Sequence, residues 1–217
     1  QAVGHLAVSP VKAYVDEVTN TARQLDVGFK SLSSSELAYT FPYFSFPNGV
    51  SGVYEHSTGG YVNPRNLIKA QSEMVLNAKN EILTETVSKI EKIKDFFEVL
   101  TESGKKVRSS QVLVACGVFS EGVIPSGEKL DLEICESTVL LAELTEKNAV
   151  QLQQMPSLVF RHNSEIEKGV YLLPPIRYPD QKIYIKIGHS ESRPMLDPAT
   201  NLTNWFQSDG DRVLADW

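Results

Sequence analysis

Val170-Tyr171-Leu172-Leu173-Pro174-Pro175-Ile176-Arg177-Tyr178-Pro179-Asp180-Gln181-Lys182-Ile183-Tyr184-Ile185-Lys186-Ile187 contains two apolar runs, 170–173 and 183–187, parted by a proline-bearing link. Short β-branched and aromatic runs bounded by turn residues read as strands. Three more such runs precede them, at 130–134, 138–144 and 158–161, again with Pro and Gly in the links. Strand following strand predicts an antiparallel sheet over the chain beyond about residue 123. In the last run Ile183, Ile185 and Ile187 fall on one face. Tyr184, Lys186 and Gly188 fall on the other, because successive strand side chains alternate.

Upstream the texture differs. A helix is predicted from Ser9, which would cap it, with Pro10 at the first helical position, where no backbone donor is needed. Val11, Tyr14, Val15, Val18 and Ala22 then recur at helical spacing. Ser33-Ser34-Ser35-Glu36 has capping-box spacing and predicts a short helix that ends before Pro42. Residues 41–60 read as turns with a strand at 53–55. Asn63 caps a second helix that Pro64 begins, with Leu67, Ala70, Gln71, Met74, Val75 and Ala78 on one face. A strand is predicted over 82–88. A hairpin is predicted from 96–101 and 106–108 around Glu102-Ser103-Gly104-Lys105. Val112-Leu113-Val114-Ala115-Cys116-Gly117 is a continuous apolar run, the pattern of a parallel strand buried on both faces. A final helix is predicted over 204–214. The fold class is α+β or mixed α/β: an antiparallel sheet beside a β-α-β layer.

With 217 residues, 41% hydrophobic and 22% charged, the chain has material for a real core. A formal charge of -6 with no basic stripe argues against nucleic acid as a partner, and against a polyanionic membrane surface. No apolar run approaches the roughly 18–20 residues that span a bilayer. Gln1-Ala2-Val3-Gly4-His5 lacks the features of a signal peptide and an initiator Met, so the chain reads as cut from something longer. Cys116 and Cys135 sit in apolar runs and read as buried free thiols, which fits a reducing compartment such as the cytoplasm. No two of the 13 glycines are spaced as G-x-G-x-x-G requires. Gly122 to Lys129 is similar to a phosphate loop, but Glu128 stands where a Lys is needed and would repel a phosphate. The four histidines are scattered and no C-x-x-C occurs, so no metal site is expected. No G-x-S-x-G elbow is present either.

The order of segments resembles the sarcosine oxidase-like branch of the FAD-dependent D-amino-acid-oxidase superfamily. The matching pieces are Glu36-Leu37, Phe41-Pro42, Gly52-Val53-Tyr54, Gly59-Gly60-Tyr61-Val62-Asn63-Pro64, Val114-Ala115-Cys116-Gly117-Val118-Phe119-Ser120 and Ile185-Lys186-Ile187-Gly188-His189. The resemblance implies a substrate domain in two parts, residues 1–58 and 123–217, around a partial FAD-binding domain, residues 59–122. It implies FAD as the cofactor of the parent protein and a small amine or amino acid as substrate, oxidised at its C–N bond with oxygen as acceptor. Segments that a family member carries before Gln1 and after Trp217 would be missing, so weak FAD binding, and self-association or pairing with those segments, are expected.

Site residues follow from the same resemblance. Val87 would lend backbone groups to the adenine end of FAD. Ala115, Cys116 and Gly117 would lie near its phosphate and ribose. Lys186 would stand beside the isoalloxazine and promote reduction of oxygen, since a cation stabilises developing negative charge. His189 would be catalytic, although it follows Gly188 directly and so falls on the opposite face of an ideal strand. Tyr171 would line the substrate pocket. A cofactor-free binding or scaffold module derived from the fold is the alternative.

Overall fold

The computed structural model describes residues 2–125, 130, 132–135, 139–162, 169–189 and 202–207. The chain divides into two compact units, residues 1–71 with 137–192, and residues 72–136 with 193–217.

The first unit is built on a seven-stranded sheet. Its strands are β1 (His5–Ser9), β2 (Phe29–Leu32), β3 (Ser51–Glu55), β7 (Val139–Leu144), β8 (Ser157–Arg161), β9 (Gly169–Arg177) and β10 (Ile183–His189). They run in the order β2-β3-β1-β8-β9-β10-β7. The sheet is antiparallel except where β1 lies parallel to β8. Helices α1 (Lys12–Gln24), α2 (Ser34–Thr40) and α4 (Glu146–Gln151) belong to this unit. The 183–187, 170–173, 158–161 and 138–144 runs are therefore strands as predicted, each one to four residues longer or shorter at its ends.

Register sorts the side chains. Leu6 lies opposite Leu158, Leu158 opposite Leu172, Leu172 opposite Ile187, and Ile187 opposite Leu140. Residues facing one another across a ladder share a face, so these five form one apolar row. Leu6, Val8 and Leu158 of that face join Leu37, Phe41 and Val50 in the core, with Leu172, Phe160 and Tyr54 packed against them. The opposite face carries Ala7, Val159, Tyr171, Gly188 and Val139 in the next row. Helix α1 packs on β1 and β3, with Val15 and Thr19 buried.

Local signals are kept where they do not compete with pairing. Ser33 forms the predicted capping box: its hydroxyl accepts from the Glu36 amide, and the Glu36 carboxylate accepts from the Ser33 amide at 2.8 Å. The helix ends at Thr40. Asn63 caps α3 (Pro64–Asn77) by accepting from the Arg65 and Asn66 amides at 3.0 and 3.2 Å.

Several expectations are corrected. Ser9 does not begin a helix; it ends β1, which the sequence reading missed, and α1 starts at Lys12. The Ser9 hydroxyl still accepts from the Val11 amide at 3.0 Å, so the capping chemistry survives beside a strand whose partners are distant in sequence. Strand β2 and helix α4 were also unforeseen.

In the second unit a three-stranded antiparallel sheet holds β4 (Val87–Ile93), β5 (Phe96–Thr101) and β6 (Lys106–Ser109). The predicted hairpin is present. Glu98 on β5 accepts from Lys106 Nζ at 2.8 Å and Arg108 Nε at 3.0 Å. The strand predicted over 82–88 instead begins at Val87, because its pairing with β5 begins only opposite Thr101. The largest departure is 112–117. This run is not a strand, Leu113 is 91% exposed, and a 3-10 helix spans Gly117–Gly122. An apolar run becomes a buried parallel strand only between two neighbours, and among the described residues none pairs with it. Residues 132–134 are likewise not strand. Cys116 and Cys135 are exposed, not buried. A last helix, α5, covers Leu202–Gln207, and the remainder of the predicted 204–214 helix lies outside the described residues.

Candidate functional site

Lys186 lies in β10 on the face it shares with Gly188, opposite Leu173 of β9 and Leu141 of β7. Its side chain is half-buried, and Leu141 and Val139 beside it are 41% and 37% exposed. The register shifts between Tyr184 and Lys186, where three steps along β9 answer two along β10. Pro174 and Pro175 occupy that stretch of β9, and proline, lacking an amide donor, is at home in such a bulge. The Lys186 Nζ sits 5.8 Å from the centroid of the Tyr171 ring. The structure thus brings Lys186 and Tyr171 together. It does not bring His189 to them: pairing from Lys186 to His189 is regular, so His189 falls on the other face.

The remaining predicted residues belong to the second unit. Val87 opens β4, half-buried, opposite Thr101. Next to it, the Thr86 carbonyl already accepts from the Glu102 amide at 2.9 Å. Ala115, Cys116 and Gly117 are exposed, and Gly117 has a φ of 55° with open space where a Cβ would stand. The backbone there is free to approach a ligand.

A second polar cluster on the seven-stranded sheet was not signalled by any motif. Glu55 and Ser157 both lie opposite His5. His5 Nδ1 is 3.0 Å from Ser157 Oγ, and the Ser157 hydroxyl donates to the Gly4 carbonyl at 3.2 Å. The Ser157 hydroxyl also reaches the Gly60 carbonyl at 3.5 Å, and which partner donates in the His5–Ser157 contact follows the tautomer of the ring. Burial holds His5 below its ordinary range, against the pull of the Glu55 charge. Burial pushes Glu55 up, but bonds from the Thr58 and Gly59 amides and the Thr58 and Ser57 hydroxyls bring it down to about 2. A Cβ at Gly59 would meet His5 Cβ at 2.8 Å, so glycine lets this turn close onto β1. Serine, histidine and carboxylate here do not form a nucleophile. Ser157 is 4% exposed and so out of reach of a substrate, and the cluster serves as a brace that pins the turn leading to α3.

This brace makes stability depend on acid. Glu55 is lowered in the fold, so its contribution is full above about pH 4.5 and is lost as pH falls toward 2. His5 is lowered too, so its contribution is lost as pH falls below about 6.5. Glu55→Gln is expected to lower stability at neutral pH by about 1–2 kcal/mol after solvent screening, and by little near pH 2.5. Urea midpoints at both pH values check this; equal losses at both would refute it.

Two open clefts lie in the first unit. One of about 500 Å³ is lined by Tyr61, Asn63, Leu67 and Arg177, among others. The other, of about 470 Å³, runs between α1 and Ser31 to Ser33. Neither contains a predicted site residue. Among the described residues no group of His, Cys, Asp or Glu could hold a metal ion, and no helix is long and apolar enough to cross a membrane.

The family model described as FAD dependent oxidoreductase matches residues 1–213. Among solved structures, the chain is similar to NikD, an unusual amino acid oxidase essential for nikkomycin biosynthesis, at 17% identity and TM-score 0.64, covering 91% of this chain and 51% of that one. It is similar to iminodiacetate oxidase from Chelativorans sp. BNC1 at 15% identity and TM-score 0.56, covering 95% and 53%. It is similar to glycine oxidase from Bacillus cereus ATCC 14579 at 14% identity and TM-score 0.59, covering 95% and 54%. The chain therefore spans about half the length of these structures. No curated protein matches it.

Proposed function

The chain belongs to the family of FAD-dependent oxidoreductases, and from that premise we propose that it forms part of an enzyme oxidising the C–N bond of a small amine or amino acid, with oxygen as acceptor. Sarcosine-like secondary amines are the substrate class this reading favours, following the resemblance noted in the sequence. FAD, when bound, supplies the electron sink for such an oxidation. The observation that carries the reading is the setting of Lys186. Its ammonium stands over the Tyr171 ring on a half-exposed sheet face, where Leu173 and Leu141 are the register neighbours of Lys186 and Val139 that of Gly188. An apolar platform with a cation at its middle suits a flat ring system that gathers negative charge. Lys186 would hold positive charge at that face, stabilising charge passing to oxygen. Tyr171 would border the substrate, and Val87 and the Ala115, Cys116 and Gly117 backbone would serve the adenine, ribose and phosphate parts.

Residues 1–217 contain no G-x-G-x-x-G sequence of the kind that opens a helix toward a pyrophosphate. The isolated chain is therefore expected to bind FAD weakly or not at all, and a longer polypeptide containing these residues to purify yellow. Titration of flavin fluorescence tests the first point. Anaerobic bleaching of the yellow protein by sarcosine, glycine and other small amines tests the second. A longer polypeptide that carries no flavin would sink the reading in favour of a cofactor-free module.

A further inference from the structure

We propose that Gly188 is a positioning residue for Lys186, acting through the ring of Tyr171; this rests on the role of Lys186 proposed above. Gly188 is buried in β10, directly opposite Tyr171 of β9. A Cβ built at Gly188 would overlap Cε1, Cζ and Oη of Tyr171. The Gly188 backbone is not in the left-handed region, so the glycine serves for space and not for conformation. The Tyr171 ring fills the volume a side chain at 188 would take, on the face that Gly188 shares with Lys186.

That placement fixes what lies beneath the ammonium. Nζ stands 5.8 Å from the ring centroid, within the range of a cation–π contact. None of the ion pairs among the described residues involves Lys186; the nearby Glu143 is taken by Lys182. A ring attracts the ammonium through its quadrupole and leaves the net charge in place, whereas a carboxylate would cancel it. A flexible lysine is thereby held at one height above the sheet with its full charge available. Any side chain at 188 would drive the ring aside and release the lysine.

The test uses the ligand-free chain. Its lysines are methylated with ¹³C-formaldehyde, and the Lys186 signal is identified by its loss in Lys186→Arg. The ring current of Tyr171 is expected to shift that signal away from those of exposed lysines. Gly188→Ala and Tyr171→Leu should each return it to the exposed position, and Tyr171→Phe should leave it shifted. Gly188→Ala should also lower the urea midpoint in the wild-type background but hardly at all in a Tyr171→Leu background, where no ring remains to collide with. Should Gly188→Ala alone fail to fold, the double variant is still expected to fold. A Lys186 signal indifferent to Tyr171→Leu, a Gly188→Ala cost equal in both backgrounds, or an unfolded double variant would each overturn the proposal. None of these readouts needs FAD, so they stand or fall apart from the flavoenzyme reading, which oxygen kinetics test separately.

Discussion

Lys186→Met, in a longer FAD-loaded polypeptide containing residues 1–217, is expected from the role proposed for Lys186 to slow oxygen consumption by about 10²–10³-fold. That is the usual loss when one preorganised group facing developing charge is removed. The substitution keeps the length and apolar stem of the side chain while removing its charge, and Lys186 is half-buried between Leu173 and Leu141, so packing is largely spared. With an artificial dye as acceptor in place of oxygen, the rate should change by less than about tenfold, since the role proposed for the charge is toward oxygen and not toward the amine. Lys186→Arg should keep part of the oxygen rate, because the charge remains although its shape differs. Oxygen-electrode and dye-reduction rates measured side by side decide the matter. Equal losses with both acceptors would mean that Lys186 serves the amine, and no loss would remove it from the site.

Leu6→Ala in the chain 1–217 is expected to cost about 2–5 kcal/mol, the range for emptying a fully buried leucine site. Leu6 is 0% exposed and stands in the row formed with Leu158, Leu172, Ile187 and Leu140. It is also where the parallel β1–β8 pair joins the two halves of the sheet, residues 5–55 and 139–189, so the cavity cannot close without moving both. Leu113→Ala offers the contrast. At 91% exposure Leu113 should cost within about 0.5 kcal/mol, although the sequence reads it as part of a strand buried on both faces. Urea denaturation of both variants checks the pair of values. A costly Leu113→Ala would show that 112–117 packs as the sequence first suggested.

The two leucines also show which features of the fold were legible. Helix caps were: Ser33 with Glu36, and Asn63 before Pro64, act within three residues of themselves, and no distant partner is needed to recognise them. Strands near a hairpin were legible for the same reason, as β5 and β6 show. Strand β1 was not, because its neighbours are β3 and β8, the latter about 150 residues away, and Ser9-Pro10 next to it carries a strong helix-start pattern. The run 112–117 erred in the opposite direction, since apolar composition announces a buried strand whether or not neighbours exist to bury it. Cys116 was misjudged along with it. The brace of His5, Glu55 and Ser157 left no trace in the sequence, because it joins three strands and no motif spans them.

The sequence by itself determined that this is a mixed helix-and-strand chain whose later part forms a largely antiparallel sheet, and that Lys186 faces away from Ile183, Ile185 and Ile187, because the alternation of a strand is fixed by its backbone. Only the tertiary structure decided what Lys186 faces. The bulge at Pro174 and Pro175 sets the register of β9 against β10, and that register lays Tyr171 over Gly188 and beneath the ammonium. Register is a property of two strands together, so neither run could have shown it alone.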